Sequence, residues 1–133
     1  MDKTRISAGK GGALTVALQG VVICLALLAP ASALAHASMV KSVPAQRAVL
    51  QRAPAKIQLW FNERLEGRYS SFSVLSADGK PVEIGPVEVD SSDPKSLSAL
   101  VKTLGPGNYV VKYRVLSTDG HVVENQFSFT VRQ

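Results

Sequence analysis

The last segment of the chain alternates apolar and polar residues, and this pattern constrains the fold more than any other feature. Residues 126–131 read Gln-Phe-Ser-Phe-Thr-Val, so Phe127, Phe129 and Val131 fall on one face and the polar residues on the other. A period of two is typical of a β-strand with one buried face. The segment therefore predicts a closing strand in a sheet that packs on a core.

Similar short runs precede this strand, and no convincing helical period follows Pro44. Strands are expected at 37–42, 57–61, 72–75, 87–89, 97–101 and 109–117. About seven short strands in roughly 100 residues match the size of an immunoglobulin-like sandwich. We therefore predict an all-β fold, an immunoglobulin-like or cupredoxin-like Greek-key β-sandwich (barrel). Trp60 is expected in its core.

Residues 1–35 have the three parts of an export signal. Basic residues precede an almost wholly apolar run at 13–29, and small residues then lead to Ala35. We predict cleavage after Ala35, which leaves 36–133 as one domain in the periplasm. A cut after Ala33 is one alternative, and a retained membrane anchor is another, because the apolar run is near the shortest spanning length.

Charge and cysteine content exclude two classes of function for this domain. The leader takes three of the 15 basic and one of the 10 acidic residues, which leaves 12 and 9, or a net charge of +3. This scattered surplus gives no reason to expect nucleic acid binding. The single cysteine, Cys24, lies in the leader, so residues 36–133 have neither disulfides nor thiolate metal ligands.

Two Asp-Gly pairs predict hairpin turns, because both residues tolerate positive φ. The pairs are Asp78-Gly79 and Asp119-Gly120, each preceded by a serine two residues before the aspartate. Lysine follows the first pair, whereas His121 follows the second. His121 could be an ordinary surface residue, but beside Asp119 it also offers a nitrogen and an oxygen to one metal ion.

The other histidine, His36, is the first residue after the predicted cut. Its α-amine and imidazole can then bind one ion as a chelate. Together with His121 and Asp119 they form a set of three nitrogens and one oxygen. Such a set suits copper(II), with nickel(II) a weaker competitor, whereas zinc prefers tetrahedral placement. A cut after Ala33 would instead give a separate terminal site built from backbone amides.

The sequence resembles the CopC family of exported copper-binding proteins over essentially all of residues 36–133. The resemblance is carried by the following segments: His36-Ala37, Ser42-Val43-Pro44-Ala45, Leu59-Trp60-Phe61-Asn62-Glu63, Gly107-Asn108-Tyr109-Val110-Val111, Tyr113 to His121, and Phe127 to Val131.

This resemblance implies a seven-stranded Greek-key sandwich with one copper(II) ion per chain, held at one end by His36, Asp119 and His121. It also places Glu63 near the site, where its carboxylate accepts a hydrogen bond from a ligand. The alternative for Glu63 is a solvated residue at the end of a strand. Some family members bind copper(I) through a methionine-rich loop. Here Met39 is the only methionine in residues 36–133, so no copper(I) site is expected, and Met39 should pack within the first strand.

The function that follows is a monomeric periplasmic copper(II) carrier or buffer, which is not an enzyme. It would serve copper homeostasis, resistance, or delivery to a membrane transporter. One alternative is an oxidase or monooxygenase with a histidine-brace copper site. Another is a metal-free envelope module that binds only a protein partner.

Overall fold

The computed structural model describes residues 36–133, and these are nearly all in strands and turns. The predictions for residues 1–35 lie outside the described residues. The nine strands are β1 (Met39–Val43), β2 (Val49–Leu50), β3 (Lys56–Phe61), β4 (Ser71–Ser76), β5 (Pro81–Val82), β6 (Glu88–Val89), β7 (Ser96–Leu100), β8 (Gly107–Leu116) and β9 (Val122–Val131). A single 3-10 turn covers Gly67–Tyr69. Nothing helical in this part of the chain has the length and apolar character to span a membrane.

The strands form two sheets that face each other. One sheet has the order β1-β3-β7-β6 and the other β2-β9-β8-β4-β5. All pairs are antiparallel except β2 with β9. The chain crosses repeatedly from one sheet to the other, as in Greek-key sandwiches. Within residues 36–133 the sheets stay separate, so the predicted fold is confirmed as a sandwich and not as a closed barrel.

The core consists of inward-facing residues from both sheets. Its most deeply buried members are Ile57, Leu59, Phe61, Val74, Leu97, Val111, Val115, Phe129 and Val131. The predicted alternation in β9 is confirmed, because Phe127, Phe129 and Val131 are all buried. Met39 packs partly buried against this core, also as expected.

Trp60 does not belong to the core, and the expectation that it would was wrong. The β3 alternation buries Ile57, Leu59 and Phe61, so Trp60 falls on the opposite, half-buried face of the sheet. There the ammonium of Lys41 lies 4.8 Å from the centre of a Trp60 ring, a cation–π contact. The ring therefore covers the outside of the sheet.

Nine strands form where about seven were predicted, because β2 and β5 were missed. Each has two residues, which is too short to show an alternating pattern. Both lie at sheet edges and depend on longer neighbours: β2 pairs with the end of β9, and β5 pairs with β4. Tertiary contact rather than local sequence makes them strands.

Both Asp-Gly pairs form hairpin turns, as predicted, but the aspartates do not adopt positive φ. Gly79 has φ of 79° and Gly120 has φ of 91°, whereas Arg47 is the one non-glycine residue with positive φ in the described chain. In each turn the glycine amide donates to the carbonyl of the serine three residues earlier, at 2.9 Å. These are three-residue loops in which a glycine ends a tight turn.

Candidate metal centre

The β8–β9 turn holds Asp119 and His121 through the buried side chain of Ser117. The Ser117 hydroxyl donates to Oδ1 of Asp119 and lies 3.2 Å from the carbonyl of His121. The Ser117 amide donates to the same carbonyl at 3.0 Å, and the His121 amide donates to Oδ1 of Asp119 at 3.3 Å. The turn therefore fixes the carboxylate beside the imidazole.

The imidazole of His121 faces the second oxygen of that carboxylate. Its Nδ1 atom lies 3.1 Å from Oδ2 of Asp119. Within the described residues this nitrogen is buried and forms no aligned hydrogen bond, despite the short distance. Two ligand atoms that bind one metal ion at right angles, each about 2 Å from it, are about 2.8 Å apart. Nδ1 of His121 and Oδ2 of Asp119 therefore have nearly the spacing of neighbouring ligands. A buried nitrogen without a hydrogen-bond partner, beside a carboxylate, fits a metal site.

The surroundings of Asp119 also keep it charged. The hydrogen bond from Ser117 is the largest cause, and with the contacts to His121 it holds the pKa of the Asp119 carboxyl below its ordinary value of 3.8. Desolvation acts in the opposite direction but is outweighed. Asp119 is therefore an anion, as a carboxylate must be to bind a metal ion.

His36 reaches the same end of the sandwich from the segment that precedes β1. Its imidazole ring centre lies 5.1 Å from that of His121, with the two planes tilted by 49°. In this chain the His36 backbone nitrogen belongs to the peptide bond with Ala35, so it becomes an amine only if the chain is cut there. The two histidines, 85 positions apart in the sequence, therefore lie side by side.

The loop at residues 62–66, which we call the bridging loop, holds both histidine-bearing segments. Asn62 binds the segment 36–38 through its backbone and its side chain. Further along, the Thr118 amide donates to the Arg64 carbonyl at 3.0 Å, and the Glu66 amide donates to the Leu116 carbonyl at 2.8 Å. The loop therefore fixes the N-terminal segment and the β8–β9 turn to a common support.

The structure does not arrange a complete coordination shell. Among residues 36–133, no group of three or more His, Cys, Asp or Glu side chains is placed to hold a metal ion. Glu63 lies half-buried in the bridging loop and forms no hydrogen bond or ion pair with Asp119 or His121. The roles of His36, Asp119, His121 and Glu63 therefore remain predictions.

The first Asp-Gly turn has the same internal contacts without a histidine. The Ser76 hydroxyl donates to Oδ1 of Asp78, and Nζ of Lys80 lies 3.1 Å from Oδ2 of Asp78. The 3.1 Å distance between His121 and Asp119 in the second turn is therefore a property of the turn itself. What distinguishes the second turn is the buried nitrogen of His121 and the nearby His36 ring.

Two residues of this region were not singled out from the sequence. Ser117 orients Asp119, and the repetition of Ser-x-Asp-Gly in both turns is the signal that could have identified it. Asn62 fastens the segment that carries His36, and no local pattern marks it.

Two histidines and a carboxylate at one end of a small β-sandwich are typical of a metal-binding domain. Comparison with known proteins gives its family. The CopC domain model matches residues 39–132. Copper resistance protein C of Xanthomonas campestris pv. juglandis is 37% identical over 118 residues, an alignment that covers 84% of this chain and 92% of that protein.

Solved structures agree with this match. The crystal structure of CopC from Methylosinus trichosporium OB3b is 37% identical, with a TM-score of 0.69, and the match covers 73% of this chain and 94% of that one. PcoC, a methionine-rich copper resistance protein from Escherichia coli, is 32% identical, with a TM-score of 0.66 over 74% of this chain and 100% of that one. The chain belongs to the CopC family, and its function is related to copper.

Proposed function

We propose that residues 36–133 bind one copper(II) ion at the histidine-bearing end and carry or buffer it in the periplasm. The ligands are the amine and ring of His36, the ring of His121 and the carboxylate of Asp119. The observation that carries this proposal is the 5.1 Å separation of the two imidazole rings. They are the two histidines of the whole sequence, and they meet at one exposed end of the fold.

The donor set supports copper(II) over other cargo. Three nitrogens and one carboxylate oxygen suit the tetragonal geometry of copper(II). Residues 36–133 contain no cysteine and only Met39 as a thioether, so soft ligands for copper(I) are scarce. Two imidazole rings about 5 Å apart also allow one ion between them, because metal–nitrogen distances are about 2 Å.

A carrier role fits this location better than catalysis. Asp119 and His121 have side chains that are 36% and 40% exposed, so an ion there is accessible to a donor or acceptor protein. A charged carboxylate in the coordination plane also occupies a position that oxygen would need. The acceptor in this proposal is a membrane transporter or another copper-resistance protein.

The decisive experiment compares two N-termini. The protein is exported with its leader, its intact mass is measured with and without copper(II), and a variant is made with one alanine kept ahead of His36. We expect the mass of residues 36–133 plus one copper, and we expect the extended variant to bind far more weakly, because its amine is displaced from the ring.

Equal copper binding by the extended variant would show that the amine is not a ligand. A mature mass that starts at Leu34 would place the cut elsewhere and replace the shared site with a local one. No copper bound by the mature protein at micromolar concentration would favour the metal-free module.

A further inference from the structure

Asn62 makes three hydrogen bonds to the segment that begins with His36. Its side-chain oxygen accepts the Ser38 amide at 2.6 Å, and its own amide donates to the Ser38 carbonyl at 3.0 Å. Its side-chain nitrogen donates to the His36 carbonyl at 3.4 Å. Because Asn62 directly follows β3, these bonds extend the β1–β3 pairing beyond Met39 and Phe61 toward the histidine.

These bonds occupy groups that copper(II) would otherwise compete for. At the end of a flexible peptide, copper(II) displaces protons from successive backbone amides and binds the nitrogens next to the terminal amine. Here the Ser38 amide is donated to Asn62, and the His36 carbonyl is held by the same side chain. Residue Ala37, between them, is buried. Wrapping the segment around an ion would therefore require these contacts to break.

We propose that Asn62 is a positioning residue that keeps His36 beside His121 and disfavours a local site made from backbone amides. This inference rests on the copper site proposed above. It adds the residue that favours that shared site over a local site made from backbone amides. Asn62 itself does not touch the metal. It acts through the backbone of residues 36–38, while the rest of the bridging loop holds the turn that carries His121.

An Asn62→Ala variant tests the two side-chain bonds alone, because the backbone hydrogen bond between residue 62 and Ser38 survives the substitution. The strand pairing and the fold are then retained, and only the two side-chain bonds are lost. Outer contacts of this kind typically alter metal affinity by about 10- to 100-fold. We expect a loss of about tenfold in affinity for the shared site.

The first measurement needs no copper. In the metal-free protein, the proximity of the His36 and His121 rings is followed by NMR through cross-relaxation between their ring protons. We expect this contact in the parent protein and its loss in Asn62→Ala. Asn108→Ala is the matched control, because the Asn108 side chain is exposed and bonds to Thr130 at the far end of the sandwich.

The second measurement is a double-mutant cycle with His121→Ala, read by copper(II) affinity and by electron paramagnetic resonance. In the parent protein His121→Ala should weaken binding strongly. In the Asn62→Ala background it should matter about tenfold less, since copper then resides in a local amide site. As pH is raised, the electron paramagnetic resonance spectrum should change to that of copper(II) bound by backbone amide nitrogens. In the Asn62→Ala variant this change should occur at a lower pH than in the parent protein.

An Asn62→Asp variant separates the two side-chain bonds, because it keeps the acceptor for the Ser38 amide and loses the donor to His36. We expect it to retain the ring contact. Retained ring contact in Asn62→Ala would overturn the proposal, as would an unchanged effect of His121→Ala in that background. If the parent protein binds no copper, the proposed function fails, whereas the metal-free ring contact still decides whether Asn62 positions His36.

Discussion

Oδ2 of Asp119 lies 3.1 Å from Nδ1 of His121, across a turn whose geometry the chain uses twice. In the other copy, the carboxylate of Asp78 lies at the same distance from the ammonium of Lys80. A serine two residues before each aspartate donates its hydroxyl to the carboxylate. The turn thus sets the position of the carboxylate, and the residue after the glycine decides what the carboxylate can do.

Replacing His121 with alanine should abolish the shared site and leave the sandwich folded. We expect copper(II) affinity to fall by more than about 100-fold, beyond the effect of losing an outer contact. Stability should change by less than about 0.5 kcal/mol, because the side chain is at a partly exposed turn. Affinity is measured by competition with a chelator of known strength, and stability by urea denaturation.

Lys80 provides the control for this variant. Lys80→Ala should leave copper affinity unchanged. Lys80→His should create no second tight site, because the His36 ring lies beside His121 in the β8–β9 turn. A second copper bound by Lys80→His with similar affinity would mean that an Asp-Gly-His turn suffices without His36.

Ser117→Ala should weaken copper binding through Asp119 without removing a ligand. The carboxylate loses its hydroxyl partner and becomes free to rotate away from His121, so we expect affinity to fall about tenfold. Ser76→Ala removes the same contact from the other turn and should not affect copper. Each variant should lose about 1 kcal/mol of stability, as is usual for one hydrogen bond. An equal copper affinity in the two variants would contradict the role given to Ser117.

The copper-free domain should lose stability in acid because three carboxyl groups have lowered pKa values. Hydrogen bonds from serine side chains are the main cause at Asp78, Asp90 and Asp119, whose ordinary pKa is 3.8. A pKa lowered by folding contributes stability above the unfolded value, and this is lost as pH falls through the folded value. Melting temperature should therefore drop as pH decreases below about 4.

The control for this acid response is the removal of the donors. A variant with Ser76→Ala, Ser92→Ala and Ser117→Ala should melt lower at neutral pH but show a flatter decline in acid. Ser128→Ala, which removes a hydroxyl from β9, should decline like the parent. If the triple variant declined as steeply as the parent, other groups would have to cause the acid loss.

Core packing and copper binding should be separable. Leu59 is fully buried, so Leu59→Ala should cost about 2–5 kcal/mol in urea denaturation. Leu100, which is 67% exposed, offers the matched change, and Leu100→Ala should cost less than about 0.5 kcal/mol. At a temperature where both variants are folded, copper affinity should equal that of the parent. Reduced affinity in Leu59→Ala alone would link the core to the site.

The longer strands could be predicted from the sequence because each carries its own pattern. The alternation in β9 identified its buried face correctly, and the glycines of both Asp-Gly pairs marked the hairpins. The two-residue strands β2 and β5 could not be predicted, since their pairing depends on neighbours distant in sequence. Trp60 was wrongly expected in the core, although the alternation of β3, with Ile57, Leu59 and Phe61 on one face, already directed it outward.

The candidate site shows the same division. Asp119 and His121 share a turn, so their contact follows from local sequence. No local pattern predicts the approach of His36 to His121, because 84 residues separate them in the chain. It could be anticipated from the donor set that the two histidines offer and from the family resemblance. Asn62 could not be found at all, since its role arises from the pairing of β1 with the end of β3.

The position of the site between the two sheets has a consequence for the lifetime of the protein. Residues 36–133 have no cysteine, so they lack the covalent cross-link that stabilises many exported domains. An ion shared by His36 and His121 would tie the start of β1 in one sheet to the β8–β9 turn in the other. A ligand that binds only the native state stabilises it by an amount that grows with the ligand concentration relative to the dissociation constant. A loaded carrier would therefore resist unfolding and proteolysis more than an empty one. Proteases in the same compartment would then remove empty carriers first, and the amount of protein would follow the supply of copper.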